Sequence, residues 1–405
     1  MNGVQQKRMY APRSRFSTLR ITTWVVVALA ILSVCPGARG QNLLWHRIFG
    51  NQTIIDAVQG NAAVDAGNNF YFVGSSQGNV MGLPLSGALE GQAQPNNIFV
   101  SKFSPDGDFL WYKLVGASQT NAESTGAAAA LTPDGSRLIV VGISKGSWPE
   151  YNATNAGSSA GDILVSSWFP NNGSISWLKL VGTPADGDDA QAVVVSNDDF
   201  IYVTGRLTSG TVTVFPSAQA VLSSFDPYLM KMSTTGTIQW IKTFGTSVAI
   251  AENGYGVAVS IDGTRIFAVG RIAGTSGGLG GQYDAVVVMY NADGTQAWLQ
   301  RLGGAGVDQG RGVAVSPDGA WVYAVGVTAG TLFNGVAANS AQINAAAIDG
   351  FIVKLDASPS ASSRINVTKI IGSTYNDALR SVLIGANPNA IYACGYFDGS
   401  NTTSA

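Results

Sequence analysis

Three residue series run in phase through this 405-residue chain, and together they narrow what it can fold into. The first is a strand that ends in Gly: Val73-Gly74, Val141-Gly142, Thr204-Gly205, Val269-Gly270, Val325-Gly326 and Cys394-Gly395. The second is Trp45, Trp111, Trp177, Trp240 and Trp298, spaced 66, 66, 63 and 58 residues apart. The third opens another strand with an amide or a carboxylate: Asn97, Asp162, Asp226, Asp284 and Asp349. A period of about 65 residues held by three series marks a repeat architecture, whose units bury their apolar faces against their neighbours.

Each repeat reads as four short strands, A to D. Gly312–Ser316, Trp321–Val325 and Phe351–Leu355 are strands A, B and C of one repeat, and Gln296–Leu302 is strand D of the repeat before. These are β-branched and aromatic runs separated by Asp-Gly turns. No stretch of the body has the 3.6-residue period of a helix. The 50 Gly and the low charged fraction (12%) suit a turn-rich all-β chain. The expectation is therefore an all-β protein, a β-propeller of four-stranded blades. Complete repeats span 51–116, 117–182, 183–245, 246–303 and 304–372, and a partial sixth spans 373–405. The Trp series then fills the gaps between blades. Each ring buries about 150–250 Å², roughly 4–6 kcal/mol before entropy.

The pattern Gly-x-Gly-Val-Ala-Val-Ser-x-Asp-Gly, then Val-Tyr-x-Val-Gly, then Asp-x-Phe-Ile-Val-Lys-Leu, with Asp-Gly-x-x-x-Trp, resembles the beta-propeller repeat family known as SBBP repeats. The resemblance covers about residues 43–400. It implies a propeller in a secreted or surface protein, with no assigned activity. The fifth repeat departs from the pattern: its C–D turn is the longer Asp356–Arg364, and Val367 stands near the expected Trp.

The ends carry their own expectations. Six cations and no carboxylate precede Gly40, and an apolar run from Ile21 to Cys35 is followed by Ala38-Arg39-Gly40. This reads as a secretory signal over 1–40, cleaved before Gln41; the rival is an uncleaved anchor, for which the run is short. Leu43–Phe49 reads as a lone D strand, so ring closure gives a sixth blade with A, B and D strands and no C. That gap, and a chain that stops inside a loop, lead to the expectation of a truncated product of a longer gene, which would add a blade or an anchor. A membrane partner is expected only through a retained signal or such an anchor.

Without the signal, 17 cations face 25 carboxylates, a net charge of −8, which argues against nucleic acid as a partner. Cys394 is the one cysteine left, at a position where other repeats carry Val or Thr, so it reads as a small buried strand residue. Sequons at Asn51, Asn152, Asn172, Asn366 and Asn401 mark candidate glycosylation sites, Asn366 the poorest because it lies in a strand.

Two sets of residues are candidates for a site. The B–C loops, for example 143–161, 206–225 and 327–348, are long and unlike one another, as binding loops are. They place Trp148, Tyr151, Phe215, Tyr283 and Phe333 as candidate contacts to a glycan or protein, or as rings tucked against the blade tops. An acidic residue precedes strand A in every repeat: Asp56, Glu123, Asp188, Glu252, Asp308 and Asp377. Around an axis these form either a ring that holds a cation such as calcium at a channel mouth, or a set of loop caps, the reading we favour. The cluster Asp186–Asp189 lacks the spacing of a calcium loop. His46 is the only histidine, which excludes multi-His zinc sites and leaves Ser–His catalysis without support. No cofactor is implied. The leading reading is a secreted or cell-surface binding module acting through the B–C loop face. The alternatives are a carboxylate-based hydrolase or quinoprotein-like enzyme at the channel mouth, and a purely structural extracellular repeat.

Overall fold

A computed structural model describes residues 26–30, 45–49, 56–76, 96–117, 122–156, 161–184, 187–208, 211–212, 219–220, 225–248, 250–274, 282–329, 332–334, 336–337, 348–361, 363–373, 375–385 and 390–397. The chain is all-β, with one 3-10 turn among the described residues, at Pro149–Tyr151. No helix among the described residues is long and apolar enough to cross a membrane.

An antiparallel pair, β1 (Val26–Ala30) and β2 (Trp45–Phe49), comes first. Five four-stranded antiparallel sheets follow. The first holds β3 (Asp56–Val64), β4 (Phe70–Ser76), β5 (Asn97–Phe103) and β6 (Phe109–Val115). The second holds β7 (Ser124–Leu131), β8 (Leu138–Ser144), β9 (Asp162–Trp168) and β10 (Ile175–Val181). The third holds β11 (Asp189–Val195), β12 (Phe200–Thr208), β15 (Phe225–Ser233) and β16 (Ile238–Thr243), with the small hairpin β13 (Thr211–Val212) and β14 (Gln219–Ala220) in its long loop. The fourth holds β17 (Asn253–Val259), β18 (Arg265–Ala273), β19 (Tyr283–Asn291) and β20 (Gln296–Leu302). The fifth holds β21 (Asp308–Val315), β22 (Trp321–Thr328), β25 (Asp349–Asp356) and β26 (Ile365–Ile371), again with a loop hairpin, β23 (Leu332–Phe333) and β24 (Val336–Ala337). A last pair, β27 (Asp377–Ile384) and β28 (Ile391–Phe397), stands as a two-stranded sheet.

Every four-stranded sheet is a simple meander, its strands in chain order. Most turns from first to second and from third to fourth strand are tight, with the positive φ taken by Gly, as at Gly263 (φ 71°) and Gly294 (φ 86°), or by Asn68 and Asp199; the third-to-fourth turn of the fifth sheet, Asp356–Arg364, is longer. The second and third strands are buried nearly throughout: Val286, Val287 and Val288 of β19 are all inaccessible to solvent. Two-sided burial explains why they read as continuous apolar runs rather than as alternation.

The first strands pack side by side in sequence: β3 on β7, β7 on β11, β11 on β17, β17 on β21, and β21 on β27. Residues of β7, β11, β17, β21 and β27 also line one shared central cavity, so the sheets are set around a common axis in a propeller-like arrangement. The Trp series joins consecutive sheets. The indole N–H of Trp111 donates to the Pro170 carbonyl (3.1 Å), that of Trp177 to Thr234 (3.0 Å) and that of Trp240 to Ala292 (3.2 Å), each in the third-to-fourth-strand turn of the next sheet.

The structure departs from expectation at two places. Trp45–Phe49 pairs with Val26–Ala30 and not with the last strand pair, so part of the apolar N-terminal run is itself a strand. Cys394 is exposed, not buried, because β28 has a partner on one side only. Tyr392 and Tyr396 of the same strand are exposed with it.

Candidate functional site

Each of the last five first strands is broken by a β-bulge at the same position. The ladder slips between Gly126 and Ala128, Ala190 and Ala192, Gly254 and Gly256, Gly310 and Gly312, and Leu379 and Ser381. A bulge leaves one residue without a cross-strand partner and re-aims its side chain. The five bulged residues are Ala127, Gln191, Tyr255, Arg311 and Arg380, and the last four line the central cavity.

The local sequence explains the geometry. A Cβ on Gly256 would stand 2.9 Å from the Arg311 carbonyl, and one on Gly312 would stand 2.9 Å from the Ser381 Cα. The flanking glycines of Gly-x-Gly let neighbouring first strands approach backbone to backbone. The residue between them is pushed into the axis, near the end of the sheets where the B–C loops lie.

These side chains do not form a uniform ring. The second sheet contributes a small residue and the third an amide, while the fourth, fifth and last strands contribute Tyr255, Arg311 and Arg380. Arg311 stacks over the Tyr255 ring, its Cζ 4.1 Å from the centroid. Arg271, from the end of β18, lies over Tyr255 (6.0 Å) and Tyr283 (4.6 Å). Arg380 lies over Tyr396 at 5.6 Å. Stacking holds each guanidinium by its face and leaves its N–H edge free to bond. Arg271 uses Nε on the Ala251 carbonyl (3.0 Å) and Arg311 uses Nη2 on the Gln309 side chain. The Nε of Arg311 is buried with no hydrogen-bond partner among the described residues. The ion pairs among those residues join Lys102 to Asp65, Lys145 to Glu123, Arg206 to Asp189 and Arg301 to Asp284, and none takes in Arg271, Arg311 or Arg380. Burial, with Arg380 and Arg271 acting in the same direction, pushes the Arg311 guanidinium below its ordinary value. The cavity has a volume of about 100 Å³.

The acidic series lies elsewhere. Asp188, Glu252, Asp308 and Asp377 are fully buried and turned away from the cavity. Asp188 accepts from the backbone N–H of Thr183 and Thr208, Glu252 from Thr246 and Ala273, Asp308 from Gly304 and Asp377 from Ser373. They cap the loops that enter the first strands, and Asp188 and Glu252 also tie those loops to the end of the second strand. They stand at the sheet junctions and not in the lining of the central cavity, and one oxygen of Asp308 is buried without a hydrogen-bond partner among the described residues. Glu123 instead pairs with Lys145 at 2.5 Å on the surface, and the Asp56 side chain and Asp186 lie outside the described residues. No three His, Cys, Asp or Glu side chains converge among the described residues.

Each cap faces a second carboxylate, the first or second residue of the preceding sheet's third strand. The oxygens of Asp162 and Asp188 both crowd Gly182, and those of Asp226 and Glu252 both crowd Gly245. Burial first, then the neighbouring charge of Asp188, Asp284 and Asp377 respectively, raises Asp162, Asp308 and Asp349 to about 6.

The B–C loop aromatics separate into two groups. Trp148 is 2% exposed, donates to the Ser144 hydroxyl (2.9 Å) and packs against half-buried Tyr151. Phe333 is buried and stacked on Phe351 at 4.4 Å. These rings serve the core, so Trp148 and Phe333 present no contact surface. Tyr283 is half-buried and joins the arginine stack; Phe215 lies outside the described residues. Asn152, Asn172 and Asn366 are exposed, Asn366 on the outermost strand β26, while Asn51 and Asn401 lie outside the described residues.

No protein-family model matches this chain, and no curated protein matches it. The solved structures to which it is similar include these three. The hydrazine synthase of Kuenenia stuttgartiensis is 13% identical over 78% of this chain and 77% of that one, with a TM-score of 0.44. A functionally unknown protein of Desulfotomaculum acetoxidans is 14% identical over 73% and 69%, with a TM-score of 0.39. The periplasmic gluconolactonase PpgL of Pseudomonas aeruginosa is 13% identical over 78% and 86%, with a TM-score of 0.36. At these scores nothing about the site or the activity of this chain follows from the likeness.

The bulge series was missed in the sequence because it falls at a position at which the repeats differ, and only Tyr255 and Arg311 stand between two glycines. At those two the glycines were the available signal: a Gly-flanked position in a first strand is where a backbone departs from its ladder.

Proposed function

We propose that the chain is a secreted or cell-surface β-propeller of the SBBP-repeat kind that binds a glycan or an extracellular protein and catalyses nothing. In this reading β27 and β28 begin a sixth blade. Signal cleavage before Gln41 removes β1 and frees Trp45–Phe49 to join that blade as its outer strand. The single observation that carries the binding role is the central cavity, whose lining takes in the bulged residues Gln191, Tyr255, Arg311 and Arg380 of successive first strands. Nothing in the repeat requires these residue types, and the side chains differ from sheet to sheet. The ligand enters from the face that carries the B–C loops. The alternative enzyme would draw on the acidic series, of which Asp188, Glu252, Asp308 and Asp377 are buried at the sheet junctions as loop caps.

The test is a glycan and extracellular-protein array probed with the full secreted chain and with Tyr255→Ala. Binding should fall about tenfold in the variant while its melting temperature holds, since a stacked ring at a ligand site contributes on the order of 1–2 kcal/mol. A ligand held equally by both proteins would place the site away from the cavity.

A further inference from the structure

We infer that the central cavity is an oxyanion site: Arg311 and Arg380, backed by Arg271, hold one carboxylate or sulfate-type group, free or carried by the ligand. The inference rests on the binding-module reading above and specifies its chemistry.

Three observations converge. First, the body of the protein carries an excess of carboxylates, yet Arg311 and Arg380 line one cavity, Arg271 shares the Tyr255 ring with Arg311, and none of the three forms an ion pair with a carboxylate among the described residues. Like charges brought together in a part-buried space repel, and an anion between them reverses the sign of that interaction. Second, the Nε of Arg311 is buried and unmatched. A buried donor without a partner is costly, and on a charged group more so. Arg311 is held in place by Tyr255 at its face and Gln309 at Nη2, so the remaining N–H groups are fixed in direction. This is the preorganised fork that oxyanions accept from in pairs. Third, the cavity, with a volume of about 100 Å³, has room for several waters and so for one oxyanion beside Arg311 and Arg380. The charged group of a larger ligand enters beside Arg311 and Arg380, the second of which lies over the Tyr396 ring.

The experiment is isothermal titration of the full chain with sodium sulfate and, separately, sodium acetate, each against chloride at constant ionic strength. Saturable one-to-one binding of at least one of the two is expected, and which anion binds more tightly tells a tetrahedral group from a planar one. Arg311→Gln should weaken that binding about tenfold or more, because it removes a charge-assisted pair of bonds. Arg380→Gln should weaken it less, its side chain being exposed. Lys369→Gln, an exposed cation on β26, should leave it unchanged and so controls for net charge. Thermal melts report folding; should Arg311→Gln unfold, Arg380→Gln decides. The inference is overturned by the absence of saturable binding of either anion, or by equal losses in the Arg380 and Lys369 variants. A chain that still captures an array ligand after such a result remains a binding module, and only its anion chemistry would be lost.

Discussion

A single methyl group measures how closely the first strands approach one another. Gly312 lies in β21 with the backbone of β27 so near that a Cβ would sit 2.9 Å from Ser381 Cα and 3.0 Å from the Arg380 carbonyl. Both obstacles are main chain, which a rotamer change cannot move. Gly312→Ala should therefore destabilise the protein by about 1–3 kcal/mol, the usual range for overpacking. Denaturant unfolding checks it: a midpoint unchanged from wild type would mean that β21 and β27 are less tightly opposed. The same logic separates the site from its scaffold. Replacing Arg311 changes what the cavity presents; replacing the glycine beside it changes whether the cavity exists. From sequence the glycines were visible and Arg311 was not, since a search for what repeats passes over the residue that varies.

Between elements, the recurring device is the Trp that reaches from the fourth strand of one sheet to a turn of the next. It requires a turn of fixed length. In the fourth sheet the device changes: the following turn is the longer Asp356–Arg364, and the Trp298 indole N–H is buried without a partner. Arg364 covers that ring instead, 4.5 Å from its centroid, and anchors the turn through the carbonyls of Ser358 and Pro359. Two substitutions tell these junctions apart. Trp177→Phe keeps the packing and loses the bond to Thr234, and should cost about 1 kcal/mol. Trp298→Phe removes a donor that has no acceptor, and should cost less in the same denaturant titration. A larger loss at Trp298 would contradict the geometry of the fifth turn. The repeat was legible because its signals recur: strands, Asp-Gly turns, Trp and the long fifth turn can all be read off the chain. The hairpins β13–β14 and β23–β24 were not, because strands of two residues have no period to detect. The burial of Trp148 and Phe333 was also hidden. A ring in a long loop looks the same in sequence whether it faces solvent or folds back on the sheet beneath it.

Across the whole molecule, the buried carboxylates at successive sheet junctions set how stability responds to pH. Asp162, Asp308 and Asp349 are raised to about 6, and Asp188 and Glu252 are raised as well, burial being the first cause in each case. Their folded forms hold protons that the unfolded chain, with ordinary carboxyl values near 4, has released. Between about pH 4 and 6 the folded state thus binds more protons, and stability must fall as pH rises through that window. A second group works the other way. Asp65 and Asp134 are lowered to about 2, and Asp262, Asp293 and Asp318 are lowered too. Tight hydrogen bonds at the turns favour their charged forms, with Tyr71 and Lys102 adding to Asn69 at Asp65; their contribution is present above about pH 4 and is lost as pH falls below it. Together the two groups place the stability maximum near pH 4–5, below neutrality, with a decline on either side. Melting temperatures taken from pH 3 to 8 trace this curve. Asp349→Asn should raise the melting temperature at pH 7 and flatten the slope between pH 4 and 6, since the amide cannot ionise beside Asp377. A wild-type curve that climbs from pH 5 to 7 would instead show that the charged pairs are balanced at neutral pH. Added calcium would then test whether a cation held between carboxylates at the sheet junctions, and not at the channel mouth, supplies that balance.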